Sequence, residues 1–138
     1  MRTVFADTFY WIAFTNVQDL AHERAKALTR SASPGVICTT EEVLIEYLNF
    51  FAGWGPHFRR KASINVRNMQ ESRTVQIVPQ GPASFLAGLS LYRARLDKGY
   101  SLTDCISMQT MHAEGITDVL TNDLHFEQEG FRALFRDA

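Results

Sequence analysis

The chain has 138 residues, of which 46% are hydrophobic and 21% charged, and its formal net charge is −1. This length and composition are typical of a single globular domain with one core, so we expect one domain over residues 1–138. The near-neutral charge argues against a protein that coats nucleic acid through its overall field, so any contact with phosphates must come from local basic patches.

Short apolar segments alternate with helical patterns along the first third of the chain. Residues 4–6 are predicted to form a buried strand that ends at Asp7, and residues 8–14 then form one or two helical turns. Asp19 is predicted to cap a second helix, which the sequence Ser-Pro-Gly at 33–35 breaks. The apolar side of this helix is predicted to contain Leu20, Ala21, Ala25 and Leu28.

A second strand is predicted at 36–39, followed by an apolar helix and a basic segment. Thr39 and Glu42 have the spacing of a capping box, so the helix is expected to begin there and to end near Gly53. Residues 57–73 are expected to form a solvated helix. The segment EYLNFFAGWGPHF spans the end of the first of these helices and the start of the second. We expect it to expose more apolar surface than a monomer usually shows.

The second half of the chain continues the alternation. A strand at 74–79 precedes a helix that begins at Pro82 and ends at Gly99, and the next helix begins after Ser101 and ends at Gly115. Short strands are predicted at 118–121 and 133–135. The apolar face of the helix after Pro82 is predicted to contain Phe85, Leu86, Leu89, Tyr92 and Leu96. Strands that alternate with helices predict an α/β fold, with a mainly parallel sheet covered by helices on both faces.

Cysteine usage and hydropathy limit the cellular setting. Cys38 and Cys105 form no CxxC pair and are too few for a disulfide scaffold, so we expect two buried thiols in a reducing cytosol. The beginning of the chain lacks the features of a signal peptide, and no apolar run approaches the roughly 20 residues that span a bilayer. The sequence therefore predicts a cytoplasmic protein with no membrane partner.

Four carboxylates are predicted to lie near one edge of the sheet. Asp7 follows the first strand and Asp123 follows a late one, and the carboxyl ends of parallel strands are where open sheets bind ligands. Glu46 and Asp104 lie in the first two turns of helices that begin near the same edge. Glu42 lies on the helical face of Glu46, so its charge would either repel Glu46, serve the helix cap, or be neutralised by a cation.

Each acid has an ordinary alternative role. Asp7 could cap the following helix, Asp104 could be a favourable first-turn acid, Asp123 could be a turn residue, and Glu46 could be a surface residue. The joint pattern favours a shared site, because four adjacent carboxylates cannot all remain ionised without cations. An all-oxygen set suits Mg²⁺ or Mn²⁺ better than zinc.

The chain resembles the PIN-domain family, and within it the VapC-type ribonuclease toxins of bacterial toxin–antitoxin pairs. The matching segments occur in the family's order and spacing and cover nearly the whole chain. They are FADTFYWIAF with DLAHERAKAL, TTEEVLIEYLNF, SLTDCISMQTM and VLTNDLHFEQEGF. The resemblance implies a PIN-like three-layer α/β/α sandwich that forms a single nuclease domain.

By that resemblance, the four acids match the family's metal-binding and catalytic quartet, Asp7, Glu46, Asp104 and Asp123. Thr8, Thr121 and Asn122 match polar positions that support the site. Phe9 stands where the family often has Ser, which we interpret as a change in pocket lining.

The resemblance also implies the reaction and its participants. One or two Mg²⁺ or Mn²⁺ ions would support internal hydrolysis of RNA, leaving a 5′-phosphate and a 3′-hydroxyl. It further implies a homodimer and a cognate antitoxin protein. Candidate RNA phosphate contacts are Arg59, Arg60, Lys61, Arg93, Arg95 and Lys98, for which solvated helix faces remain the alternative.

Aromatic and histidine side chains give weaker indications. Trp11, Trp54 and Phe58 could stack on bases, although core or interface packing is the competing interpretation. His22 is expected to pack with a hydrogen bond, and His125 could touch substrate.

Two other functional classes fit the sequence less well than a nuclease. A phosphoacceptor receiver domain needs a lone Asp late in a central strand and a Lys near the end of the sheet, and neither is evident. A haloacid-dehalogenase-like phosphatase needs a second Asp where Phe9 stands, so it is rejected. A housekeeping PIN ribonuclease and a catalytically idle PIN module that binds RNA or protein remain as alternatives.

Overall fold

Five short strands form one parallel sheet in the computed structural model, which describes residues 2–33 and 35–137. Within these residues the strand order is β3-β2-β1-β4-β5, and every neighbouring pair is parallel. The predicted parallel sheet is confirmed. In chain order the strands are β1 (Arg2–Ala6), β2 (Gly35–Thr40), β3 (Val75–Val78), β4 (Asp118–Leu120) and β5 (Arg132–Ala133).

Helices connect the strands and cover the sheet on both faces. Val4, Phe5 and Ala6 are consecutive in β1 and all are buried, and successive strand side chains point to opposite faces. Both faces of the sheet are therefore covered, as the predicted α/β/α sandwich requires. The helices of the described residues are α1 (Thr8–Thr15), α2 (His22–Ala32), α3 (Glu41–Phe51), α4 (Pro56–Glu71), α5 (Pro82–Ala94), α6 (Leu102–Glu114) and α7 (Leu124–Gln128), with a 3₁₀ helix at Leu134–Arg136.

The chain reverses its direction across the sheet at β1. The first connections lead from β1 to β2 and on to β3, whereas the α5–α6 connection returns to β4 on the other side of β1. At such a switch point the connections leave two adjacent strands in opposite directions. This leaves a crevice outside the carboxyl ends of those strands, where open α/β sheets bind ligands. The carboxyl ends of β1 and β4 therefore mark the first place to look for a site.

Helix α2 begins at His22, later than predicted. Asp19 does not cap it; instead the Asp19 carboxylate accepts a hydrogen bond from the Ala21 amide at 2.8 Å and forms a tight turn before the helix. Leu20 was predicted to face the core but is fully exposed in this turn, whereas Ala25 and Leu28 are buried as predicted. Pro34, within the predicted break, lies outside the described residues.

The predicted capping box at Thr39 is also wrong by one residue. Thr40 is the N-cap of α3, and its hydroxyl accepts a hydrogen bond from the Val43 amide at 3.1 Å. The Thr39 side chain, on the other face of β2, donates instead to the Ala6 carbonyl at 2.9 Å. Because side chains alternate along a strand, only one of two adjacent threonines can turn toward the helix start.

Helix α5 presents the face opposite to the one predicted. Its buried side chains are Gly88 and Leu91, and it ends at Ala94 instead of Gly99. A Cβ atom on Gly88 would lie 2.4 Å from Ile106 Cγ1, so α5 and α6 pack at a distance that only glycine permits. Of the five residues predicted to form the apolar face, Leu89 is half-buried and the other four are exposed: Phe85, Leu86, Tyr92 and Leu96.

Several other predicted features are confirmed. Ser101 caps α6, and Gly115 ends it in the left-handed conformation. Cys38 and Cys105 are buried free thiols, and the His22 ring hydrogen-bonds the Ala13 carbonyl. The last strand is shorter than the predicted 133–135, because Leu134 already belongs to the 3₁₀ helix. Among the described residues, no helix combines the length and apolarity needed to cross a membrane.

Candidate metal centre

Asp7 lies at the carboxyl end of β1, at the switch point of the sheet. Its side chain is 6% exposed, and its backbone is extended before α1 begins. Although Asp7 occupies the N-cap position of α1, it makes no side-chain capping hydrogen bond. The alternative in which Asp7 serves only as a helix cap is therefore not supported.

Thr121 connects Asp7 to the end of the neighbouring strand. Ala6 pairs with Leu120 in the parallel register of β1 and β4, so the next residues of the two strands lie side by side. The buried Thr121 hydroxyl donates to Asp7 Oδ2 at 2.9 Å and accepts a hydrogen bond from the Asp123 amide at 3.2 Å. One hydroxyl thus fixes the positions of two predicted site residues relative to each other. Asn122, between Thr121 and Asp123, is exposed.

Asp104 and Asp123 lie at the beginnings of α6 and α7. Asp104 accepts a hydrogen bond from the Ser101 amide at 3.2 Å within the capping box of α6. Asp123 is the N-cap of α7 and accepts from the His125 amide at 2.9 Å. Asp104 therefore fills the role of first-turn acid considered from the sequence, whereas Asp123 caps a helix instead of forming a turn. The two carboxylates lie close together, since the Nδ1 atom of His125 is within 3.5 Å of an oxygen of each.

Glu46 reaches the cluster from α3. It is exposed, and one of its carboxylate oxygens accepts a hydrogen bond from the buried Thr8 hydroxyl, the residue next to Asp7. Glu42, one turn earlier, accepts from the Ser84 hydroxyl at 3.3 Å and borders an open cleft of about 470 Å³. Glu42 thus contacts the beginning of α5 through Ser84, and the cap of α3 is formed by Thr40 without it.

The electrostatics of the site link the four acids. Burial raises the pKa of Asp7 from 3.8 to about 7, and the neighbouring charge of Asp104 adds to the rise. Hydrogen bonds from the Thr8 amide and the Thr121 hydroxyl oppose it, while the charge of Glu46 contributes further. Burial also raises the pKa of Asp104; the hydrogen bond from the Ser101 amide opposes this rise, and the charge of Asp123 adds to it. The structure therefore brings all four predicted acids within electrostatic range of at least one other.

His125 belongs to the same cluster, although the sequence indicated at most a contact with substrate. Its Nδ1 atom lies 3.5 Å from Asp104 Oδ2 and 3.4 Å from Asp123 Oδ1. Asp104, Asp123 and His125 each offer a ligand atom, and these atoms all lie within 4.8 Å of one another. The signal available in the sequence was the Asp-x-His spacing at the start of a helix, which places both side chains on the first turn.

A partly exposed ion pair supports the loop before Asp104. Arg95 donates two hydrogen bonds to the Glu129 carboxylate at 2.9 and 2.8 Å, and the Tyr100 hydroxyl donates a third at 3.1 Å. Glu129 is the C-cap residue of α7, while Tyr100 immediately precedes the Ser101 cap of α6. These bonds join the loop that leads to Asp104 to the helix that begins at Asp123.

The candidate RNA contacts have different surroundings. Arg59, Arg60 and Arg93 are exposed and Lys61 is half-buried, so these four side chains lie on helix surfaces as both interpretations require. Arg95 is committed to Glu129, so a phosphate at this position would have to compete with that ion pair. Lys98 lies 3.5 Å from its neighbour Asp97, a contact of two surface groups.

The aromatic candidates mostly pack against one another. Trp11 is buried and donates from its indole nitrogen to Thr39 at 3.3 Å. Phe58 stacks on Phe51 with ring centroids 5.3 Å apart, whereas Trp54 is 45% exposed at the end of α3. Phe9 meets the Phe135 ring edge-on at 5.0 Å, which ties α1 to the 3₁₀ helix.

Comparisons with known proteins agree with the fold. A family model described as PIN domain matches residues 4–131, whereas no curated protein sequence matches the chain. One similar crystal structure is that of Mycobacterium tuberculosis VapC20, described as a Sarcin-Ricin loop cleaving toxin. It is 25% identical, with a TM-score of 0.82 and coverage of 93% of this chain and 95% of that one. Another is VapBC2 from Rickettsia felis bound to a DNA fragment from its promoter, at 14% identity, a TM-score of 0.67 and 96% coverage of both chains.

Proposed function

This chain belongs to the PIN domain family, and on that premise we propose that it is a divalent-metal-dependent endoribonuclease, the toxin of a VapBC-type toxin–antitoxin pair. The proposal treats residues 1–138 as a single PIN-like nuclease domain. The observation that carries it is the acid cluster at the switch point of the sheet. Asp104 and Asp123 lie close together, Thr121 hydrogen-bonds both the Asp7 carboxylate and the Asp123 amide, and the charges of Asp104 and Glu46 raise the pKa of Asp7.

The chemistry of the cluster fits a hard divalent cation such as Mg²⁺ or Mn²⁺. Its donors are mainly carboxylate oxygens, which these ions prefer as ligands. The raised pKa of Asp7 indicates that its ionised form is unfavourable without a nearby positive charge. We propose that the four acids hold one or two such ions. When bound, the ions would activate water and neutralise the charge of the scissile phosphate.

The side chains around the acids fix the carboxylates that would hold the ions. Thr121 occupies Oδ2 of Asp7 and Thr8 occupies Oε1 of Glu46, so each carboxylate keeps a second oxygen free of that bond. Hydrogen bonds of this kind orient the ligand side chains and hold their oxygen atoms in place for the metal ion. Asn122 is exposed beside the acids and is suited to contact a phosphate or water at the mouth of the site.

The substrate proposed is RNA that presents an unpaired segment to the acids. Proteins recognise RNA loops by stacking on the bases and by arginine contacts. Arg59, Arg60 and Arg93 are exposed and could make such contacts. The cleft beside Glu42 offers space for nucleotides next to the scissile bond. The description of VapC20 as a Sarcin-Ricin loop cleaving toxin supports a structured RNA loop as the substrate class, and such a toxin would act in the cytoplasm.

The proposed protein partners are an antitoxin and a second copy of the chain. The VapBC2 structure supplies the precedent for an antitoxin complex on this fold. Exposed apolar side chains provide surface for both partners; they include Phe50, Trp54, Phe85, Leu86, Tyr92 and Leu96. RNA cleavage measured with a stoichiometric antitoxin is expected to fall, and unchanged cleavage would contradict the toxin assignment. An adjacent reading frame for a small DNA-binding protein would favour the toxin over a housekeeping PIN ribonuclease.

The decisive experiment compares RNA cleavage by the parent and by Asp7→Asn, each with Mg²⁺ and with a chelator. Only the parent with metal is expected to cleave. Asp97→Asn is the matched control, because Asp97 is a 76% exposed surface acid, and this variant should keep the parent's rate. Equal rates for the parent and Asp7→Asn in all four conditions would exclude the mechanism and leave an RNA-binding or protein-binding PIN module.

A further inference from the structure

His125 has a buried nitrogen atom that lacks a partner and faces two acids of the candidate metal centre. Nδ1 is inaccessible to solvent and accepts or donates no hydrogen bond within the described part of the chain. It lies 3.5 Å from Asp104 and 3.4 Å from Asp123, close enough for the ring to oppose the rise that burial gives the pKa of Asp104, but neither contact has hydrogen-bonding geometry. A buried polar atom without a partner is costly and calls for an explanation, such as an ion that the site is built to bind.

The surroundings of the ring fix which nitrogen faces the acids. The His125 amide donates to Asp123, which places the side chain on the first turn of α7. The ring packs against the Tyr100 ring, with centroids 5.3 Å apart, and a Cβ atom on Gly99 would lie 3.5 Å from Nε2. Nε2 therefore faces the loop before α6, and Nδ1 faces the carboxylates.

We propose that His125, through Nδ1, is a nitrogen ligand of the ion held by Asp104 and Asp123, and that it makes the centre favour Mn²⁺ over Mg²⁺. The inference rests on the metal centre of the proposed function and goes beyond its four acids. Mg²⁺ is a hard ion that selects oxygen donors, whereas imidazole nitrogen adds affinity for first-row transition ions. A neutral ring that carries its proton on Nε2 would leave the Nδ1 lone pair for the ion.

The direct test is pulsed electron paramagnetic resonance of the Mn²⁺-loaded protein without RNA. The parent is expected to show echo modulation from a directly coordinated ¹⁴N nucleus, and His125→Gln is expected to lose it. His57→Gln is the matched control, because His57 is an exposed histidine on the first turn of α4, and it should keep the modulation. Thermal unfolding with a chelator verifies that the three proteins are equally folded.

Binding titrations measure the selectivity. His125→Gln is expected to weaken Mn²⁺ binding by about tenfold or more, which is the usual effect of mutating a residue that supports a metal centre. The same variant is expected to change Mg²⁺ binding much less. A second variant, His125→Asp, replaces the nitrogen by oxygen and should lower the ratio of Mn²⁺ to Mg²⁺ affinity while both ions still bind.

The possible results separate this inference from the proposed function. A parent that binds Mn²⁺ without nitrogen modulation, or a His125→Gln variant that retains it, overturns the ligand role and leaves the four-acid centre intact. Equal losses for both ions in His125→Gln overturn the selectivity role. A parent that binds neither ion overturns both this inference and the metal dependence of the proposed nuclease.

Discussion

Replacing Asp7 by Asn is expected to stabilise the metal-free protein while weakening the stabilisation that metal provides. The Asp7 carboxylate is buried among other acids, and its pKa is raised from 3.8 to about 7. Asn has nearly the same shape as the protonated acid, and its carbonyl oxygen can accept the hydrogen bond from Thr121. The substitution therefore removes a buried charge without leaving a cavity.

The size and sign of the effect follow from the pKa. Between pH 3.8 and about 7 the folded state holds a proton at Asp7 that the unfolded state has released, so the stability of the parent falls as pH rises through this range and then levels. A rise of the Asp7 pKa from 3.8 to about 7 corresponds to about 4 kcal/mol at pH 8.5, of which roughly 2 kcal/mol is already lost at pH 5. The advantage of Asp7→Asn should thus grow by roughly 2 to 3 kcal/mol between pH 5 and pH 8.5.

Urea denaturation with a chelator at the two pH values measures this difference, because groups that titrate alike in both proteins cancel. Asp97→Asn again serves as the control and should show a difference from the parent that does not depend on pH, since Asp97 is a surface acid. Adding Mn²⁺ at pH 8.5 should stabilise the parent more than Asp7→Asn. If Asp7→Asn were no more stable than the parent at pH 8.5 with a chelator, the claim that burial and neighbouring acids disfavour the Asp7 charge would be refuted.

Three further substitutions test the supports of the site. Thr121→Val keeps the shape but removes the hydroxyl bonded to Asp7, and should cost about 1 to 3 kcal/mol in urea denaturation and lower the affinity for Mn²⁺ in titrations; unchanged values for both would reject its bridging role. Glu129→Gln breaks the ion pair with Arg95 and should cost about 1 kcal/mol at pH 7, a value reduced for the partial exposure of the arginine. Because the pKa of Glu129 is lowered in the folded state, this cost should vanish as pH falls below its folded pKa, and a cost that persists in acid would argue against the ion pair. Gly88→Ala should lower stability by about 1 to 3 kcal/mol through the clash between α5 and α6, and a neutral result in thermal unfolding would show that the helices can separate without cost.

The sequence predicted the sheet and the placement of the acids because both depend on local patterns that topology then fixes. Asp7 follows an apolar strand, and the parallel register of β1 and β4 necessarily sets it beside Thr121. The start of α6 was recognisable from its cap residue and that of α3 to within one residue, so Glu46 and Asp104 could be assigned to the same edge of the sheet. Asp123 was predicted from its position just after a strand.

Other features depend on tertiary contacts that a periodic pattern does not encode. The large apolar residues of α5 predicted its buried face, yet the close approach to α6 requires Gly88 and turns Phe85 and Leu86 outward. Asp19 could equally form a turn or a cap, and the choice was decided by where Ala25 and Leu28 reach the core. His125 was undervalued because its neighbour across the site, Asp104, is distant in sequence.

The acids of the site repel one another, and strands and helices that the core fixes in place hold them together. Asp7 is fixed by two paired strands, and Asp104 and Asp123 are fixed by helix starts whose geometry their own carboxylates help to form. None of the three can move away from the others without breaking a hydrogen bond to backbone or to Thr121. Repulsion among them is therefore retained in the folded state instead of being relaxed, and a cation that relieves it gains binding energy in proportion. On this argument, the same rigidity that makes the Asp7 charge unfavourable in the metal-free protein would give the proposed metal centre its affinity for a cation.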